Sequence, residues 1–213
     1  MLTPQHFQRG LRIDQYLASM TSQRETFRAN FVAVMQALTP ETLAFFRRLP
    51  SPLWVATITE DDNLDAVRDV PLAARLCAEC STLLMRLFRP HTHADVARLV
   101  LTEVGVPDEA QARPLPVIAF YTQAGRLVFA HVQRLPELTR VLEQRREAWI
   151  AAHPEVRDAH LPLAQMSALT RVRLLHAQHA FTPEERLIWW RKTVEAWRAA
   201  LSEHLHELTP QEN

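Results

Sequence analysis

The feature that most constrains this chain is an alternation of short apolar runs with amphipathic helical patterns between residues 52 and 151. Leu53-Trp54-Val55-Ala56-Thr57-Ile58 follows Ser51-Pro52, is short, and becomes β-branched toward its end, which reads as a buried strand. Residues 65–79 then place Val67, Val70, Leu72, Ala73 and Leu76 on a helical pattern, and 82–88 reads as a second strand. Val96, Leu99, Val100 and Val104 mark a helix over 94–104 that stops at Gly105, a common helix terminator. Apolar runs at 116–121 and 126–132 are joined by Thr122-Gln123-Ala124-Gly125, which is hairpin chemistry, and 135–150 is helical again. The order β-α-β-α-β-β-α calls for a mixed sheet with helices on its faces, an α/β fold.

The flanks read as helices. Ser22 followed by Glu25 has the spacing of a capping box, and Thr39-Pro40-Glu41 sets an N-cap before a proline at the first helical position. Phe27, Phe31, Val34, Met35 and Leu38 recur at three and four, which gives one buried face. After a proline-containing stretch at 152–163, helices are predicted at 163–179 and 183–208, the second opened by Thr182-Pro183-Glu184-Glu185. The expected organisation is therefore a helical extension over 1–50, a core over 51–151 and a second helical extension over 152–213.

With 213 residues, and roughly 150 per domain, a long modular architecture is excluded. Lys plus Arg and Asp plus Glu balance at 24 each, so the basic excess that draws proteins onto nucleic acid or anionic lipid is absent. The apolar runs fall far short of the ~20 residues that span a bilayer. Asp14 and its polar neighbours interrupt the stretch a signal peptide would need, so a cytoplasmic location is expected. Gly10, Gly105 and Gly125 stand apart, whereas phosphate-cradling loops need closely spaced glycines. Lys192 is the sole lysine and sits in a charged helical segment, a poor setting for Schiff-base chemistry.

Ile58-Thr59-Glu60-Asp61-Asp62-Asn63-Leu64-Asp65-Ala66, Val70-Pro71, Arg89 and Leu115-Pro116 together carry a resemblance to a bacterial thioredoxin-like family over about residues 20–150. In that family a strand ending Ile-Thr-Glu-Asp runs into Trp-Cys-Gly-Asp-Ala at the start of the first core helix; here Trp-Cys-Gly is replaced. The resemblance implies a thioredoxin-like core, a cis peptide before Pro116, and Asn63 at the position of the nucleophilic cysteine. A helix N-terminus lowers a thiol's pKa by favouring the thiolate; asparagine cannot supply one, though it caps a helix well. It further implies a redox-inactive protein- or peptide-binding module, with Leu115-Pro116 facing Asn63 as the edge on which an extended peptide pairs. The expected binding residues are Asp62, Asn63, Asp65, Leu115 and Pro116, with no cofactor and no metal.

Other residues suggest different chemistry. Cys77-Ala78-Glu79-Cys80 has the C-x-x-C spacing of a thiol–disulfide oxidoreductase, the alternative reading in which Cys77 and Cys80 are catalytic. Its place at a helix C-terminus and the intervening Glu79 both raise thiol pKa values. Glu60, Asp61, Asp62 and Asp65 form an acidic cluster, but acidic residues favour a helix start without any cation. The histidine pairs 91/93, 176/179 and 204/206 lack a completing ligand motif, and Ser22, Ser51, Ser81, Ser167 and Ser202 lie in no nucleophile elbow. Leu187, Trp190, Val194, Trp197, Leu201, Leu205 and Leu208 form a helical stripe that must be covered. The cover is either the chain's own core or a partner, including a homodimer through this helix, and the second case reads the chain as a structural or assembly protein.

Overall fold

A computed structural model describes residues 1–107 and 114–204. The strands are β1 (Leu53–Ile58), β2 (Leu83–Phe88), β3 (Val117–Thr122) and β4 (Leu127–Val132), in the order β2-β1-β3-β4. β1 runs parallel to β2 and antiparallel to β3, and β3 pairs antiparallel with β4. The helices are α1 (Pro4–Gln8), α2 (Ile13–Ser19), α3 (Arg24–Ala33), α4 (Pro40–Arg47), α5 (Leu64–Glu79), α6 (Ala94–Glu103), α7 (Pro136–Ala152), α8 (Ala168–Gln178) and α9 (Pro183–Glu203). The mixed α/β class follows directly from the alternation in the sequence.

The chain packs as two compact units, Met1–Gln133 with the stretch from Leu187 onward, and Arg134–Arg186. The N-terminal helices therefore belong with the sheet instead of forming an extension that ends at residue 50. The expected break near residue 151 falls inside the second unit.

Alternation along β1 divides the first unit into two layers. Leu53 and Val55 join a core containing Phe27, Phe46, Val70, Leu76, Phe120, Trp190 and Trp197. Trp54, Ala56 and Ile58 join another with Phe7, Phe88, Val100, Leu115 and Tyr121. The Phe7 ring stacks on Trp54 at 4.8 Å and 9°. Every residue of β1 is buried, as expected of a central strand covered on both faces.

The caps explain most helix starts. Thr39 accepts the Thr42 N–H at the head of α4, and Asn63 accepts the Ala66 N–H at the head of α5. Thr182 and Glu185 exchange the two hydrogen bonds of a capping box before α9. Ser22 does not cap α3: Gln23 is the N-cap, in the left-handed region at φ 56° and without a side-chain cap bond. At the β3–β4 turn Gly125 has φ +78°, and a Cβ there would lie 1.9 Å from the Leu2 carbonyl oxygen, so only glycine fits.

In the second unit Leu138, Leu142 and Leu174 are buried, and Gln178 donates to the Leu142 carbonyl at 2.9 Å. Arg145 lies over the Phe181 ring at 4.4 Å and pairs with Glu185 at 2.6 Å.

The stripe on α9 is covered within the first unit. Trp190, Val194, Trp197 and Leu201 all pack into the core layer, which leaves none of them for a homodimer surface. Leu205 and Leu208 lie outside the described residues. Trp197, with no exposed surface, meets Phe120 at 5.9 Å and His131 at 5.5 Å between ring centroids. Trp197→Ala is expected to cost about 3–5 kcal/mol, read as a lower urea midpoint with the wild-type sedimentation coefficient retained below the transition.

Candidate functional site

β1 and β2 are parallel and in register, with Ile58 opposite Phe88, so the residues that follow them emerge side by side. Ligands in open α/β sheets bind at such carboxyl ends. A cleft of about 590 Å³ opens there, lined by Ser19, Thr21, Ser22, Glu60, Asp61, Asp62, Arg89 and His91. The segment from α2 to the start of α3 forms its other wall.

An ion pair holds the cleft together. The Arg89 guanidinium donates to both Asp61 oxygens at 2.9–3.2 Å, donates to Ser19 Oγ at 2.9 Å, and lies 4.8 Å from the Tyr16 ring centroid. The Thr21 N–H donates to Asp61 at 2.9 Å and ties the helical segment to the β1–α5 loop. Burial works against the charge of Asp61, but the Thr21 amide and Arg89 outweigh it and hold the carboxyl below its ordinary value. Tyr16 is fully buried beneath, and that burial pushes its phenol up. Glu60 and the exposed Asp62 add negative charge at the rim.

The expected binding residues are divided by the structure. Asn63 heads α5, its Oδ1 accepting the Ala66 N–H at 2.9 Å, while Asp62 reaches the cleft. Asp65 is 3% exposed and faces inward: Arg68 donates to it at 2.7 Å. Leu115 and Pro116 do not form an open edge. Leu115 is 2% exposed within an apolar layer, and the Pro116 carbonyl accepts the Gln133 N–H at 2.7 Å. The Leu115–Pro116 peptide is cis.

Beneath the head of α5 lies a buried charge cluster that the sequence reading missed. Arg68 donates through Nε and Nη2 to Asp69 at 2.9 and 2.7 Å and through Nη1 to Asp65, and Trp190 Nε1 donates to the Arg68 carbonyl at 2.9 Å. His131 Nε2 lies 3.5 Å from Asp69 Oδ2, and Gln133 Nε2 lies 3.5 Å from Asp65 Oδ2. Burial opposes the charge on Arg68, and the two aspartates more than restore it. Burial likewise pushes Asp69 up, but Arg68 and then His131 hold it below its ordinary value. The available signal was three charged residues at 65, 68 and 69 in a helix whose neighbouring positions are nearly all apolar.

Cys77 and Cys80 are free and sit at the other end of α5. Burial raises both thiols; Cys80 adds to this at Cys77, while at Cys80 the Arg47 charge opposes and Glu79 reinforces. Cys80 has no exposed surface and lies 3.9 Å from the Leu43 carbonyl oxygen. Among the described residues no group of three or more His, Cys, Asp or Glu is placed to hold a metal ion. None of the described helices is long and apolar enough to cross a membrane.

No protein-family model matches this chain, and no curated protein matches it. Solved structures share its fold. A protein of unknown function from Pseudomonas aeruginosa superposes with a TM-score of 0.58 at 10% identity, over 95% of this chain and 99% of that one. An HIV epitope-scaffold superposes with a TM-score of 0.52 at 10% identity, over 93% of this chain and 96% of that one. At such identity the likeness concerns the fold alone.

Two outcomes follow from the charge cluster. Arg68→Ala leaves two buried carboxylates without their cation and should cost about 3–5 kcal/mol, measured by urea unfolding. A carboxyl held below its unfolded value adds stability that is complete above that unfolded value and is lost as pH falls toward the folded one. With Asp69 and Asp61 both lowered, the urea midpoint should hold steady down to about pH 5 and fall below about pH 4. Asp69→Asn should lower stability at neutral pH and flatten that acid limb.

Proposed function

We propose that this chain is a thioredoxin-like protein without a nucleophilic thiol, acting as a protein- or peptide-binding module through the cleft at the ends of β1 and β2. The observation that carries this reading is Asn63: its side chain caps α5 at the position where the resembled family places its cysteine. The sheet order β2-β1-β3-β4, the proline at residue 71 inside α5 and the cis Leu115–Pro116 peptide support the thioredoxin-like assignment. Against thiol–disulfide exchange by Cys77 and Cys80 stands the protonated state that burial favours for both, since the thiolate is the reacting form.

The cleft suits binding more than turnover. Its best-placed carboxylate, Asp61, lies beside the Thr21 hydroxyl but is already held by the Arg89 guanidinium and the Thr21 amide, which weakens it as a base for activating that hydroxyl. Hydroxyls, a paired guanidinium and a carboxylate rim offer hydrogen bonds to an extended peptide.

A disulfide-reduction assay tests the chemistry. The wild-type chain should show negligible turnover, and Asn63→Cys should introduce a thiol titrating below the ordinary value of about 8.5. Substantial wild-type turnover abolished by Cys77→Ser would overturn the reading. Peptides selected by the wild-type chain from a random display library should be lost with Glu60→Arg plus Asp62→Arg, whose thermal midpoint should stay within a few degrees of wild type; selection of no peptide at all would overturn the binding role.

A further inference from the structure

We propose that the groove between α7 and α8 is a binding site for a small aromatic carboxylate, separate from the cleft at β1 and β2. The groove is shallow and open to solvent, offers about 390 Å³, and is lined by Trp149, His153, Val172, Arg173, His176 and Ala177, all within the Arg134–Arg186 unit. That volume lies within the usual range for small-ligand sites, roughly 300–1,000 Å³.

One wall is pre-formed. His153 follows the last turn of α7, its Nδ1 lies 2.8 Å from the Trp149 carbonyl oxygen, and its ring stacks on the Trp149 indole at 4.4 Å and 22°. The hydrogen bond and the stack fix both rings before any ligand arrives, so a flat partner meets an ordered aromatic surface at little entropic cost. The other wall is α8. Its inner face buries Thr170, Leu174 and Gln178, which leaves Leu169, Val172, Arg173 and His176 on the outer face at helical spacing. Val172 is 64% exposed, an apolar side chain that shares the groove with the indole of Trp149.

Charge selects the ligand. Arg173 and His176 make no hydrogen bond, ion pair or ring contact among the described residues, and no carboxylate lines the groove. A cationic ligand would face an unpaired guanidinium. An aromatic carboxylate would place its ring against Trp149 and Val172 and accept the paired N–H groups of Arg173, the planar fork that suits a carboxylate. The carbonyl end of α7 opposes an anion, but only as a fractional charge, and His153 already occupies one of its carbonyls.

The test is a titration of the full-length chain with indole-3-carboxylate, benzoate and uncharged benzyl alcohol, followed through the indole N–H resonances of the tryptophans. A saturable shift confined to Trp149 is expected with both carboxylates and not with benzyl alcohol. Arg173→Gln should weaken carboxylate binding at least tenfold, with an unchanged circular dichroism spectrum because the side chain is exposed. Val172→Glu, also at an exposed position, should abolish it by repulsion and gives a second reading if the first variant misfolds. No saturable shift with either carboxylate, equal binding of benzyl alcohol, or undiminished binding by both variants would each overturn the proposal. Reduction assays and peptide selection at the cleft do not depend on this result.

Discussion

The head of α5 depends on a guanidinium taken out of water. Arg68 is 4% exposed, and transferring a lone cation to such a place is prohibitive without compensation. Asp65 and Asp69 supply it from the same helix, and geometry does the rest: the fork of Arg68 can satisfy both only when the first turns of α5 are wound as they are. His131 brings β4 to Asp69, and Trp190 brings α9 to the Arg68 carbonyl. One helix, one strand and the returning C-terminal helix are thus oriented by a single cluster. These directional bonds add to the interdigitated apolar packing that α5, β4 and α9 share.

Above that cluster the loop between β1 and α5 is positioned from a second direction. Asp61 is gripped by Arg89 and by the Thr21 amide, so the N-terminal helices and the ends of two parallel strands meet at one carboxylate. The cleft is shaped by these contacts, and the Arg89 that lines it rests on the buried ring of Tyr16. Asn63 then closes the helix end by capping, which leaves its amide engaged with the backbone and unsuited to covalent chemistry.

Much of this was legible in the sequence, because strands and helices bury their faces with different periods. β1 coincides with the predicted run at 53–58, and α5, observed at Leu64–Glu79, differs from its predicted start by one residue. The Thr39 and Thr182 caps were legible for the same local reason, whereas the Ser22 spacing misled: Gln23 adopts a left-handed conformation and begins the helix one residue later. The pairing of Asp61 with Arg89 follows from the in-register alignment of β1 with β2, which a pattern of separate strands does not specify. The Arg68 cluster was missed because charged residues in a helix ordinarily face solvent. Burial on every side of α5 comes from α3, β4 and α9, elements distant in sequence.

The return of α9 has a consequence for how the chain acquires its structure. Trp190 bonds to Arg68 across 122 positions, and Glu195 accepts from Thr42 across 153. During synthesis the Arg134–Arg186 unit, whose contacts are close in sequence, emerges before the residues that complete the older part of the chain. The sheet therefore waits, with its Phe120 face and its charge cluster uncovered, until Leu187–Leu201 has left the ribosome. Contacts of such long range make for slow closure, so the rate at which the first unit folds is set by the return of its last segment more than by the winding of its helices.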